Sequence, residues 1–235
     1  MSVEAEWWEY DDADELAEAV AGDVGFIIDQ ALDAKAAALI ALPGGTTPLA
    51  AFALLAKQKR RWKDVTIVPT DDRLVPVTDP RSNVAAIAKT FLPLGARVVP
   101  LVSDKAADHK AAGRAADARL QDLPWPPDLV WIGVGDDGHV ASIFPGPDLD
   151  EALQGPRERR ACGVMPDPMP ANAPVARVTL TKTALLSART LLLTLTGKNK
   201  RRVVERALKE GAGSTLPVGR LLGESDLAID IHWAP

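Results

Sequence analysis

Cysteine is nearly absent from this sequence: Cys162 is the only one in 235 residues. No internal disulfide can form, which fits a reducing, cytoplasmic setting. Long apolar runs are lacking as well. None approaches the ~18–20 residues that a bilayer-crossing helix needs, so no membrane association is expected. The opening "MSVEAEWWEY" has no cationic start and no apolar stretch, and it does not read as a secretion signal. Positive charge is not in excess: 27 Lys and Arg stand against 32 Asp and Glu, a net charge of −5. That balance argues against general nucleic-acid binding, which wants a basic face. An anionic small-molecule ligand would have to meet positive charge concentrated locally. Internal repeats and low-complexity tracts are missing too, and nothing implies an obligate protein partner.

What is present is the make-up of an ordinary globular protein, 47% hydrophobic and 25% charged. Apolar, β-branched runs alternate with Ala-rich helical stretches. Helices are expected over 11–35, from about Pro48 to Lys57, from about Ser82, across 104–121 and from "GKNKRRVVERAL" onward. Strands are expected in "AAALIAL" (36–42), "VTIVPT" (65–70), "ARVVPL" (96–101), "DLVWIGV" (128–134), "RVTLT" (177–181), "TLLLTLT" (190–196) and "LAIDIHW" (227–233). This alternation predicts a single-domain, Rossmann-like α/β fold over 1–235, with a mainly parallel sheet and helices on both faces. The Pro-rich piece "MPDPMPANAP" (165–174) reads as an excursion within that domain, because strands resume directly after it.

The stretch "DLVWIGVGDDGHVASIFPG" (128–146) carries a literal G-x-G-x-x-G in Gly133, Gly135 and Gly138. A dinucleotide-binding turn needs more than these glycines. Asp136 and Asp137 stand where a pyrophosphate would sit. Pro145 and Pro147 cut short the helix that should follow. The motif also lies mid-chain rather than at the first strand. The same loop offers His139 instead. Among three histidines it alone sits in a glycine-rich turn at a strand's carboxyl end; His109, in a charged helix, reads as a solvated surface residue and His232 as structural. A histidine near its ordinary pKa of about 6.5 suits general-base work at neutral pH, and Asp137 is placed to orient it. An exposed turn rich in turn-formers would read the same way, so the loop alone decides nothing.

Three further loops with chemical content follow expected strands, where open α/β sheets bind ligands. "PGGTTP" holds Gly44, Gly45, Thr46 and Thr47 before a helix, a combination suited to cradling a phosphate, or simply a capped helix start with Thr47 as the cap. "TDDR" carries Asp71, Asp72 and Arg73. "TGKNKRR" brings Lys198, Lys200, Arg201 and Arg202, of which helical geometry lets about one face a site. Arg177 is a cation in an apolar strand context, and a buried arginine needs an anion, from protein or ligand. Trp7, Trp8 and Trp62 read as exposed aromatics suited to an interface, or as ordinary core residues.

In their order, "LPGGTTP" (42–48), "TDDRLVPVTDPRSN" (70–83), "GVGDDGHVASIFPG" (133–146), "RVTLT" (177–181) and "TGKNK" (196–200) resemble the 6-phosphogluconolactonase family. That family sits within the wider group that includes glucosamine-6-phosphate deaminases. The resemblance implies hydrolysis of 6-phosphoglucono-δ-lactone to 6-phosphogluconate in the oxidative pentose phosphate pathway, with no cofactor and no metal. It makes His139 the general base, with Asp137 and Arg73 in the catalytic group. Gly44, Gly45, Thr46, Thr47, Asp71, Arg177 and Lys200 become substrate- or phosphate-binding. Two departures stand out: Asp72 replaces a glutamate, and Val140 follows the histidine where a threonine is usual. In the deaminase branch a glutamate follows the histidine a few residues on; here Ser142, Ile143 and Phe144 occupy that stretch. The rival readings are therefore a deaminase-type isomerase, disfavoured by the missing glutamate, and a non-catalytic sugar-phosphate-binding module, which would not need His139. A covalent route through Ser142 ranks below direct attack by water, since no G-x-S-x-G elbow exists.

Overall fold

The computed structural model describes residues 5–103 and 106–235. The first four residues of the acidic opening, and residues 104–105 of the helix expected across 104–121, lie outside the described residues.

The strands are β1 (Ala5–Glu9), β2 (Ala38–Leu42), β3 (Val65–Pro69), β4 (Asp71–Arg73), β5 (Arg97–Val98), β6 (Leu129–Gly133), β7 (Ala161–Val164), β8 (Arg177–Leu180), β9 (Thr190–Thr196) and β10 (Ile229–Ala234). The α-helices are α1 (Ala13–Lys35), α2 (Thr47–Lys57), α3 (Asn83–Phe91), α4 (His109–Gln121), α5 (Leu149–Gln154), α6 (Lys182–Leu186), α7 (Lys198–Glu210) and α8 (Pro217–Leu222). Seven strands form one sheet in the order β1-β10-β9-β6-β2-β3-β5, and every pairing in it is parallel.

Both faces of this sheet are covered, and the side chains of its inner strands show it. Along β2, Ala38, Ile40 and Leu42 enter the core under α1, α2 and α3, while Leu39 and Ala41 enter the opposite core. In β6, Leu129 and Trp131 face the first core, Val130 and Ile132 the second. This is the period-2 alternation of a strand with both faces dry, and it reads in sequence as an unbroken apolar run. Trp131 meets Phe52 edge-on at 5.4 Å, and its indole N–H donates to Thr194 Oγ1 at 3.0 Å.

Helix starts follow the local chemistry. Asp12 caps α1, accepting from the amides of Asp14 and Glu15. Ser82 caps α3 and Asp108 caps α4.

The second layer holds the main difference from expectation. "TDDR" and "RVTLT" do not belong to the parallel sheet or end as loops on it. With β7 they form a separate three-stranded antiparallel sheet, in the order β4-β8-β7. Leu180 N–H still reaches Thr70 O at 2.8 Å, which fastens this small sheet beside the end of β3. Of the two readings open for Trp62, the core one holds, since it is buried. One more correction concerns a single residue. His109 is partly buried at the start of α4, with Nε2 3.3 Å from Asp148 Oδ2, rather than free in solvent.

Candidate functional site

From β2 the chain runs outward through β3 to β5 on one side, then through β6, β9 and β10 on the other, where β1 forms the edge. The strand order therefore reverses between β2 and β6, and the crevice at their carboxyl ends is the expected ligand site of such a sheet. A cleft of about 330 Å³ lies there. Gly44, Gly45, Thr46, Thr47, Asp71, Arg73, His139, Arg177 and Lys200 all line it, joined by Asn83, Asp136, Ala141 and Asn172. Asp137, of the residues singled out, stands just behind the wall, on His139.

The loop after β6 is shaped around the imidazole. His139 Nδ1 lies 2.5 Å from Asp137 Oδ1, and the His139 amide donates to the same oxygen at 3.1 Å. With Nδ1–H committed to the carboxylate, Nε2 is the bare nitrogen able to take a proton, and it has no hydrogen-bond partner among the described residues. Burial pushes the Asp137 carboxyl up, but bonding from the His139 ring and the charge of that ring outweigh it and leave the pKa lowered. Gly135 makes the fold of this loop possible. A Cβ there would come 2.2 Å from the imidazole ring. The G-x-G-x-x-G thus serves a close histidine–backbone contact, not a pyrophosphate; no helix begins after Gly138 until α5 at Leu149.

Across the cleft, the small sheet supplies cations. Arg73 and Arg177 are direct cross-strand partners in the β4–β8 pairing, so both point to one face. Like charges so placed repel. Arg73 Nη1 donates to Arg81 O (2.7 Å) and Asn83 Oδ1 (2.9 Å), and Arg177 Nη2 to Ala173 O (3.2 Å). Neither guanidinium has a carboxylate within ion-pair distance among the described residues, and the Nε of each is buried without a partner. Burial lowers the Arg177 pKa from the usual arginine value, Asp71 raises it and Arg73 lowers it again. A buried and a half-buried cation with unspent donors want an anion.

Lys200 adds a third cation from the first turn of α7. Its neighbours turn elsewhere: Lys198 is exposed, Arg201 is bound to Glu9 and Glu205, and Arg202 donates to Lys198 O and Asn199 Oδ1. One lysine of this basic run faces the cleft, as helical geometry requires. The phosphate-suited loop after β2 closes the same end. Thr46 occupies the cap position of α2 without a side-chain bond, so Thr47 is not the cap. Thr47 Oγ1 lies 3.3 Å from Thr196 Oγ1 instead, tying the loops after β2 and β9 together.

Sequence reasoning passed over two residues. Asn83, quoted as the end of a motif but given no role, is a hub. Its Nδ2 donates to Asp71 O at 2.9 Å, its Oδ1 receives Arg73, and it packs so close to Gly44 that a Cβ on Gly44 would sit 1.9 Å from Oδ1. Asp72, flagged only for its shortness, does not enter the cleft. Its carboxylate accepts the amides of Arg73, Asn83 and Val84 and the Ser82 hydroxyl, and so closes the start of α3. Burial raises its pKa against those bonds. Ser142 is fully buried and donates to Asp71 Oδ2 at 2.5 Å, which removes it as a nucleophile.

An open parallel sheet with a cation-lined cleft at its switch point, faced by an oriented imidazole, is the architecture of an α/β enzyme for small anionic substrates. Residues 11–231 match the family described as glucosamine-6-phosphate isomerases/6-phosphogluconolactonase, and the chain belongs to that family. It is 36% identical over 224 residues to a 6-phosphogluconolactonase of Rhizobium meliloti, covering 94% of each chain. It is 34% identical over 233 residues to that of Mesorhizobium japonicum, covering 97% of this chain and 95% of the relative. The crystal structure of a 6-phosphogluconolactonase from Shewanella baltica superposes with a TM-score of 0.91 at 28% identity, over the whole of both chains.

Proposed function

We propose that this protein hydrolyses 6-phospho-D-glucono-1,5-lactone to 6-phospho-D-gluconate by His139-assisted attack of water. One observation carries the reading. An imidazole with Nδ1 held by Asp137 and Nε2 free among the described residues faces, across a single cleft, two arginines that have no carboxylate within ion-pair distance among those residues. The relatives named above, lactonases by name, support the same reaction.

The phosphate docks between Arg177, Lys200 and the Gly44–Thr47 loop, so that binding energy far from the reacting carbon orients it. Nε2 of His139 takes a proton as a water oxygen bonds to the lactone carbonyl carbon. Arg73 or the amides of the glycine turn stabilise the resulting oxyanion. Collapse breaks the bond to the ring oxygen, which leaves with the proton returned by His139. Asp71 hydrogen-bonds Ser142 and holds the wall on which the substrate rests. The stretch where the deaminase branch carries its glutamate holds Ser142, Ile143 and Phe144, all buried.

A single-domain organisation over 1–235 belongs to the same proposal, supported by two sheets that line one cleft. So does a cytoplasmic location, to which the free, buried Cys162 is suited. No helix among the described residues is long and apolar enough to cross a membrane. The test is proton release in a pH-stat on adding fresh lactone, with the enzyme-free rate subtracted and the product identified by NMR. A rate equal to the uncatalysed one rejects the proposal.

A further inference from the structure

Phe144 touches both functional ends of the cleft without lining it. Its ring stacks on the His139 imidazole, centroids 4.0 Å apart and planes 22° from parallel. The same ring receives the Arg177 guanidinium, whose Cζ lies 4.9 Å from its centroid. Phe144 itself is buried, so its orientation is set by packing and not by solvent. Each partner has few other anchors. Asp137 holds the imidazole at Nδ1, on one edge of the ring. Arg177 has one hydrogen bond, at 3.2 Å to a backbone carbonyl, and a buried Nε with no partner. A flat aromatic face constrains the planes of both at once, and attracts cations through its ring quadrupole.

We infer that Phe144 is a positioning residue of the hydrolysis, the common wall that holds the base and the phosphate-binding arginine at a fixed separation. The inference rests on the lactonase reading above. Its consequence is that one apolar substitution loosens two polar functions together. A base that drifts by about an ångström loses up to roughly 100-fold in rate. An arginine released from its platform loses part of its grip on phosphate.

The test uses Phe144→Leu and Phe144→Met, with Phe144→Tyr as the ring-retaining rescue. Thermal melts establish folding, pH-stat assays give kcat, and calorimetry gives the Kd of 6-phosphogluconate. In a folded Leu or Met variant kcat falls roughly 10- to 100-fold and product binding weakens several-fold, whereas Tyr keeps both near the wild-type values. Values within twofold of wild type in a folded Leu or Met variant, with wild-type enzyme active, overturn the inference and leave the lactonase reading standing. An inactive wild type overturns the reading itself. A further measurement needs no variant. The ring current of Phe144 moves the His139 Cε1 proton resonance, identified by its loss in His139→Ala, upfield of an exposed histidine. A resonance at the exposed position overturns the inference even where both apolar variants fail to fold.

Discussion

His139 owes its chemistry to a neighbour two residues back. With Nδ1–H pinned to Asp137, the ring presents a proton acceptor to the cleft with no search among tautomers. His139→Ala is expected to lower kcat by roughly 10²–10⁴-fold, the usual worth of a general base, while product affinity measured by calorimetry stays close to wild type. A near-normal kcat in the folded variant removes it as the base. The lysines of the α7 start make a second, comparative case. Lys200 lines the cleft and Lys198 is exposed. Lys200→Ala should weaken 6-phosphogluconate binding by roughly tenfold, in line with one charge-assisted hydrogen bond of about 1.5 kcal/mol, and Lys198→Ala should leave it within twofold. Equal losses in calorimetry reject the assignment.

Asp72 belongs to the scale of the element. It gathers two amides and a hydroxyl at the start of α3 together with the amide of Arg73 in β4, and one of the helix amides is that of Asn83, whose side chain positions Arg73. Asp72→Ala leaves buried donors unmet, so we expect a stability loss of about 1–3 kcal/mol in urea titrations, with kcat lowered more than KM is raised. An unchanged unfolding midpoint contradicts the capping role. The same region shows which elements a sequence displays and which it conceals. β2, β3, β6 and β9 announce themselves, because burial on both faces leaves apolar runs, and β10 shows itself by its β-branched residues. β4 is "DDR" and β7 is "ACGV": three and four residues, polar or glycine-containing, whose pairing comes from tertiary contact and not from pattern. β1 escaped for another reason. As an edge strand, "AEWWE" buries few side chains and shows no apolar period. Site residues were legible where chemistry is rare, as in a glycine-flanked histidine or a cation inside a strand. Asn83 and Phe144 look ordinary in sequence, and only the third dimension places them.

At the scale of the molecule, His232 links acidity to stability. It lies on β10, almost wholly buried, bonded through Nδ1 to the Tyr10 hydroxyl at 2.9 Å and stacked on that ring. Burial lowers its pKa from 6.5 to about 4, against the opposing pull of Asp230. The folded protein therefore holds the neutral ring and the unfolded chain the charged one between those values. This contribution is complete above pH 6.5 and is lost as pH falls toward 4, on the order of 3 kcal/mol in all. Urea midpoints measured across that range should drop with falling pH, and His232→Gln should flatten the drop. An equal slope in both proteins disproves the link.

The partnership of β1 with β10 has a temporal side. Residues 5–9 leave the ribosome more than 200 residues ahead of the strand they pair with, 229–234. Until then Trp7 and Trp8 have no sheet to lie on and Arg201 has no ring pair to cover. A nascent aromatic strand is a natural site for mispairing with other chains. Glu6, Glu9, Asp11, Asp12 and Asp14 surround it with like charge. Acidic residues so placed are the gatekeepers expected of a strand left unpaired until β10 is made.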